Sequence, residues 1–414
     1  MHFVFIHPNF PAQFRSLAEF LGKNPKNQVL FITANPREEW EIAGVKKIIF
    51  QEEEIPKDIP SPPLKSFTAL HSKAAAVARV LLDLRKQQFI PDLIIGHSGW
   101  GSTFYIKDIF PEVPFLGCFE WYYDAGSPNA AFGRKNPVGH GTRMEIRNKS
   151  LSILSDLAAC DHGICPTHWQ KAQFPTEFHK KLSVIHDGIN TNFFIPVPDK
   201  KLVLPGLDLS QAKELVTYTA RGFEPYRGFP QFIESIPHIL KNRPGAHIVI
   251  VGEDRVCYGP KLPDGQTYKK RMTEKIDLDP DRVHFVDPLP YGKYLEVLQA
   301  STVHVYLTVP FVLSWSLLEA MACGCLVVAS NTQPVKEVIQ DGVNGVLTEF
   351  FAPEKIAEKV VACLEYPSFM KNIKTNARKT IQERYGLDKM LANQVQIMKQ
   401  MTEAAARQHQ GRFG

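Results

Sequence analysis

Residues 303–330, VHVYLTVPFVLSWSLLEAMACGCLVVAS, read as strand, loop, helix, strand. Residues 303–308 are a β-branched and aromatic run and 326–329 a second apolar run, both of the length of buried parallel strands. Between them, Ser314 to Cys323 has the apolar spacing of a helix packed on a sheet. Ser314 or Ser316 serves as its N-cap and Gly324 stops it. A helix N-terminus at the carboxyl end of a parallel strand offers backbone N–H groups and a positive dipole end, which suits a phosphate. Ser314, Trp315, Ser316 and Leu317 are therefore candidate donors to an anion. Glu319, about one turn further in, cannot favour a phosphate but can accept two hydrogen bonds from a ribose diol.

A strand upstream ends in YTARGFEPYRG, residues 218–228. Arg221 and Arg227 lie six apart and Gly228 opens the next helix. The pair reads either as a phosphate clamp, suited to the bidentate guanidinium fork, or as a turn with two solvated arginines. Around them, residues 215–220, 247–252, 283–286, 303–308, 326–329 and 346–349 form a series of strand patterns, each followed by a helical segment. The first half repeats the alternation, with strands expected at 2–7, 28–33, 92–96, 114–120, 162–166 and 182–186. The strongest helical pattern there is 67–88, preceded by a proline-rich surface loop over 52–64. Thr167–Gln170 has the spacing of a capping box. The expected fold is α/β, with two Rossmann-like doubly wound parallel-sheet domains, 1–197 and 198–386, facing across a cleft that is the natural ligand site. A helical stretch from 367 to about 408 closes the chain.

These motifs resemble those of the family 4 retaining glycosyltransferases, the glycosyltransferase group 1 enzymes of GT-B fold. Their donor segment runs E-G-F-G-x-x-x-x-E-A-M-A-x-G-x-P-V-V-A, and LLEAMACGCLVVAS matches its second half. Phe311, Val312 and Ser314 stand where the first glutamate and two glycines are expected. The family's G-R-L-x-x-x-K-G corresponds to Arg221 and Arg227, an arginine replacing the lysine, and VIHDGINTNFFIP (184–196) looks like the family hinge. The resemblance implies that the two arginines hold the donor diphosphate and that Glu319 holds the ribose. It also implies that residues 387–414 form a terminal helix crossing back to the first domain. No metal is required, so DLD and DPD within 277–281 read as turns. The nucleoside-diphosphate sugar, with a UDP-sugar favoured, is a co-substrate, and no other cofactor is implied.

Many family members carry a histidine near the reacting carbon, where Glu120 stands here. Glu120 either accepts the acceptor proton or binds sugar hydroxyls, or else pairs with an arginine. His97 and Trp100, in the turn GHSGWG, either line a sugar subsite or form a tight turn. Asn9 and Gln13, after the first strand, either touch substrate or cap a helix. The run RKNPVGHGTRMEIRNK (134–149) suits a phosphorylated, lipid-linked or acidic acceptor, or is a solvated face.

A length of 414 residues suits two domains, and a net charge of +5 does not argue for nucleic acid. Seven cysteines without a C-x-x-C pair suit reduced, mostly buried thiols in the cytoplasm. The N-terminus lacks signal-peptide character and no apolar run reaches the roughly 18 residues needed to span a bilayer. Peripheral contact at the inner membrane face stays open. The leading expectation is transfer of a sugar to a hydroxyl-bearing acceptor in polysaccharide or glycoconjugate biosynthesis. A GT-B sugar-nucleotide epimerase and a non-catalytic sugar-nucleotide-binding partner subunit are the alternatives.

Overall fold

The computed structural model describes residues 1–56, 58, 59, 61–134 and 136–411. The chain divides into two compact units, Met1–Asp187 joined by the chain from Asp388 onward, and Gly188–Leu387. The first holds a parallel sheet of β1 (His2–Ile6), β2 (Gln28–Thr33), β3 (Val45–Ile49), β4 (Leu93–His97), β5 (Phe115–Cys118), β6 (His162–Cys165) and β7 (Leu182–Val184). Its order is β3-β2-β1-β4-β5-β6-β7. Central strands such as β1 and β4 bury almost every residue because helices cover both faces, hence their unbroken apolar sequences. β3 escaped the sequence pattern because it is an edge strand, VKKII, with two consecutive lysines. Lys47 donates to the carbonyls of Trp40 (2.7 Å), Pro36 and Arg37 (3.2 Å each).

After a short hairpin of β8 (Val203–Leu204) and β9 (Leu207–Asp208), the second unit builds a second parallel sheet. Its strands are β10 (Glu214–Gly222), β11 (Ala246–Glu253), β12 (Val283–Val286), β13 (Val303–Tyr306), β14 (Leu326–Ser330) and β15 (Val346–Thr348). Their order is β12-β11-β10-β13-β14-β15. The helix Trp315–Ala322 buries Leu317, Leu318, Ala320, Met321 and Ala322 in the core of this unit. Each leucine or methionine so buried contributes about 1.5–3 kcal/mol.

Three boundaries differ from expectation. The loop expected over 52–64 ends early: a helix already begins at Pro62, with Ser61 Oγ accepting Leu64 N–H at 3.3 Å and prolines in its first turn. Positions 57 and 60 of that loop lie outside the described residues. The closing stretch is two helices, Pro367–Arg384 and Leu387–Gly411, because the chain opens at Tyr385–Gly386 to pair with the hinge. Ile189 N–H donates to Tyr385 O (2.8 Å) and Leu387 N–H to Ile189 O (2.9 Å). Those bonds, with Phe194 in the core, carry the hinge into the second unit, so the units part after Asp187 and not at 197. Gly188 has the positive φ expected of it, +91°. In the closing helix, Met390 and Met398 join the core beside β1 and β2, and Gln394 Nε2 donates to His186 O.

Candidate functional site

In each sheet the strand order reverses once, between β1 and β4 and between β10 and β13. Loops leaving neighbouring strands in opposite directions part at such a point, and ligands of open α/β sheets bind at the carboxyl edge there. The expected residues gather at these two edges.

In the second unit the organiser is Glu224, which sequence reading passed over. Its buried carboxylate accepts the backbone N–H groups of Cys257 (3.0 Å), Tyr258 (2.9 Å) and Gly259 (2.8 Å), tying the loop after β11 to the loop after β10. The close approach requires Gly222, where a Cβ would lie 2.5 Å from Arg255 O. Tyr258 is thereby set over Arg227, with its ring centre 5.3 Å from the guanidinium carbon. Arg227 is 8 % exposed, and its Nη1 donates to Thr308 Oγ1 (2.8 Å), Val312 O (3.0 Å) and Tyr306 Oη (3.4 Å). Its Nε and Nη2 have no hydrogen bond among the described residues, which leaves one edge of the fork for an anion. Arg221 is exposed, beside the Tyr258 hydroxyl. The two arginines thus differ: Arg227 is buried and held by three acceptors, whereas Arg221 is exposed and meets the Tyr258 hydroxyl.

Ser314 is the N-cap of the helix Trp315–Ala322: its Oγ accepts Ser316 N–H at 3.3 Å and shares a 2.9 Å hydrogen bond with Ser316 Oγ. Leu317 N–H lies 3.3 Å from Ser314 O, and its side chain is buried. Two of the N–H groups expected to be free are therefore engaged within the turn, a correction to the four-donor reading. Ser314 N–H donates to Tyr306 Oη at 2.9 Å. One hydroxyl thus joins the helix start to Arg227.

Glu319 sits 4 % exposed in the same helix. Tyr291 donates its hydroxyl to Oε1, and Tyr294 donates to Oε2 at 2.9 Å. Burial pushes its pKa up to about 7, against the opposing pull of the two tyrosine hydrogen bonds. Each oxygen keeps a second lone pair for a further donor. Both tyrosines were missed; the PYGKY spacing that puts them on one helix face was the available signal. Phe311 is buried between Tyr226 and Tyr258, with ring centres 5.4 and 5.5 Å away.

In the first unit, His7 follows β1, His97 ends β4 and Glu120 follows β5, three adjacent strands. Trp100 Nε1–H donates to His97 Nδ1 (2.9 Å) and Asn9 N–H donates to His7 Nδ1 (2.9 Å). With Nδ1 accepting in each ring, these hydrogen bonds select the tautomer that carries its N–H on Nε2. His97 Nε2 points at Glu120 Oε2, 3.5 Å away. Burial, then His97, pushes the pKa of His7 well below its ordinary value. Gln170 Nε2 donates to Glu120 O (2.8 Å), and the expected cap forms with Thr167 Oγ1 accepting Gln170 N–H (3.0 Å), while Gln170 Oε1 reaches back to the Thr167 hydroxyl (3.1 Å). Asp156, also missed, accepts the hydroxyls of Ser98 and Thr103 (2.6 Å each) and fixes the turn carrying His97 and Trp100. Its burial raises its pKa to about 6. Asn9 and Gln13 do not cap: the turn Ala12–Phe14 and the helix Arg15–Gly22 start without a side-chain cap.

The turns around Asp279 also form as read, with Asp279 accepting Asp281 N–H (3.0 Å) and Arg282 Nε–H (2.6 Å). No group of metal-ligating side chains occurs among the described residues. No helix among them is long and apolar enough to cross a membrane.

Residues 25–194 match the model of the glycosyl transferase family 4 group, and 207–380 that of the glycosyl transferases group 1. The chain belongs to the family 4, group 1 glycosyltransferases. This family member is 28 % identical over 177 residues to an uncharacterized glycosyltransferase of Methanocaldococcus jannaschii, covering 42 % of the chain and 43 % of that relative. To a D-inositol 3-phosphate glycosyltransferase of Segniliparus rotundus it is 24 % identical over 189 residues, 45 % of the chain and 40 % of the relative. The matches span less than half the length of these curated relatives. Among solved structures, the GT-B fold of Anabaena HepE in complex with UDP and glucose superposes with a TM-score of 0.73. The match covers 97 % of this chain and 100 % of HepE at 17 % identity, a likeness of fold.

Proposed function

We propose that this protein is a retaining, metal-independent glycosyltransferase, which moves a sugar from a nucleoside-diphosphate sugar to a hydroxyl-bearing acceptor. A UDP-sugar is the favoured donor, since structural neighbours are bound to UDP and UDP-glucose. Polysaccharide or glycoconjugate biosynthesis at the cytoplasmic side is the setting. The observation that carries the reading is the Tyr306 hydroxyl joining Arg227 to the start of the helix Trp315–Ala322, with Glu319 one turn on. A cation, a dipole end and a diol acceptor at that spacing match a nucleoside diphosphate.

The bond from the anomeric carbon to the diphosphate oxygen breaks, and the acceptor oxygen bonds to the same face of that carbon. The acceptor proton passes to the leaving diphosphate. Arg227 and Arg221 stabilise the charge developing there, and Arg227 is preorganised because its Nη1 is already held. In the first unit, Glu120, its backbone carbonyl held by Gln170 and its carboxylate 3.5 Å from His97 Nε2, is the candidate hydrogen-bond acceptor for a hydroxyl of the acceptor.

Turnover on a panel of nucleotide sugars with glycan and lipid-linked acceptors tests this, followed by NMR of the product anomer and release of free diphosphate. Retained configuration, diphosphate release and turnover in EDTA are expected. Epimerised donor without diphosphate release would establish the epimerase instead. Binding without any reaction would leave a partner subunit, and restoration of activity only by divalent ions would overturn the metal-independent site.

A further inference from the structure

Within the first unit, and built from other residues than its His7–His97–Glu120 edge, the basic run of the sequence folds as the helix His140–Lys149. The helix lines a cavity of about 350 Å³ with Tyr122, Tyr123, His140, Arg143 and Arg147. Arg143 and Arg147 are four apart and so share a helix face. Like charges at that spacing repel unless something neutralises them, and neither guanidinium has a hydrogen bond or ion pair among the described residues. Glu145, between them in sequence, belongs to a different face. Asp124 also lines the cavity, and its carboxylate accepts the N–H of Gly126.

Part of the lining is aromatic, with Lys149 Nζ 5.6 Å from the centre of the Tyr123 ring. Ser150 Oγ donates to Tyr123 O (2.7 Å) and accepts Tyr123 N–H (3.1 Å), pinning that residue at both backbone groups. The Tyr122 ring packs on Phe174, 5.9 Å between centres, and is only partly exposed. Two guanidinium forks, unpaired among the described residues and lining one cavity with two tyrosines, suit a ligand with a phosphate at one end and a less polar body at the other.

We propose that this cavity binds the phosphate group of the acceptor. The word acceptor rests on the transferase reading; the phosphate chemistry rests on the cavity alone. The phosphate can belong to a soluble sugar phosphate or to a lipid headgroup, and the experiment separates the two. Calorimetry would measure binding of glucose 6-phosphate, with glucose as the neutral control. Sedimentation would use phosphatidylcholine vesicles with and without phosphatidic acid, and UDP binding would be measured in parallel.

The expected result is binding of at least one phosphate probe, weakened about tenfold in Arg143→Gln and in Arg147→Gln. UDP affinity should be unchanged in both, and Arg134→Gln, a basic residue of the same run that does not line the cavity, should bind as wild type. Vesicle binding alone identifies a lipid phosphate; glucose 6-phosphate binding identifies a soluble one. The proposal is overturned if neither phosphate probe binds, if the two variants bind like wild type, or if Arg134→Gln loses as much. Failure of wild type to bind UDP is a different result, which counts against the transferase reading.

Discussion

The Tyr294 hydroxyl donates to Glu319 Oε2 at 2.9 Å, so the carboxylate assigned to the ribose is already hydrogen-bonded inside the protein. Tyr291 takes the other oxygen and is itself stacked on Phe193 of the hinge, 5.6 Å between ring centres and 9° between planes. Glu319 is thus held in place before any ligand arrives, and its buried setting makes it a proton store near neutral pH.

The pH dependence follows from that. Glu319 has a folded pKa of about 7 against an ordinary 4.5, so the folded state holds a proton that the unfolded state has lost between those values. Its contribution to stability is full below about 4.5 and declines as pH rises through about 7. Glu319→Gln should flatten that part of the Tm–pH profile. Ribose hydroxyls favour the ionised carboxylate, so UDP binding at pH 6.5 (about half a unit below that pKa) should release protons. Calorimetry in buffers of different ionisation enthalpy measures this, and Glu319→Gln should abolish the release.

The two arginines should separate in their effects on stability. Arg221→Ala should weaken UDP binding by about 1.5–3 kcal/mol, the loss of a charge-assisted hydrogen bond, while leaving Tm unchanged because the residue is exposed. Arg227→Ala should weaken binding as much and also destabilise the fold by about 1–3 kcal/mol, since Thr308 Oγ1 and Val312 O lose their buried donor. Parallel calorimetry and thermal melts check both. Wild-type UDP affinity in both variants would remove the diphosphate assignment.

Glu120→Gln should separate chemistry from donor binding. The amide keeps the size of the side chain but removes its charge opposite His97 Nε2. Turnover should fall by about 10–100-fold, the loss of a hydrogen bond to a charged group, with UDP affinity intact. Trp100→Phe, which removes the indole N–H that sets the His97 tautomer, should lower turnover in the same direction. Unaltered kcat in both variants would show that this cluster is structural.

Phe311 and the serines test the choice of sugar. Phe311 lies in an aromatic wall with Tyr226 and Tyr258, so no carboxylate is offered to sugar hydroxyls there. Donors carrying a carboxylate or an N-acetyl group should be preferred to a plain hexose. Ser314→Ala should cost about 0.5–2 kcal/mol of stability as a lost helix cap, and it should narrow that preference. Kinetics with uronic acid, N-acetylhexosamine and hexose donors decide; a plain hexose as best donor, with neither Ser314→Ala nor Ser316→Ala mattering, sinks the idea.

The two parallel sheets were legible in the chain, and so was a serine cap on the helix Trp315–Ala322, with Ser314 rather than Ser316 filling it. Those features are local: strand runs buried on both faces must be apolar throughout, and a helix start needs its cap within a few residues. β3 was hidden because an edge strand need not be apolar, and its lysines bond to carbonyls of a separate loop. How the site residues are held emerges in the folded chain. Glu224 is an ordinary acid in the sequence and becomes an organiser because a loop more than thirty residues away offers it three N–H groups. Tyr291 and Tyr294 meet Glu319 from the helix after another strand. Burial and partners at such sequence separation depend on how the strands are ordered, and no spacing rule within one segment contains that order.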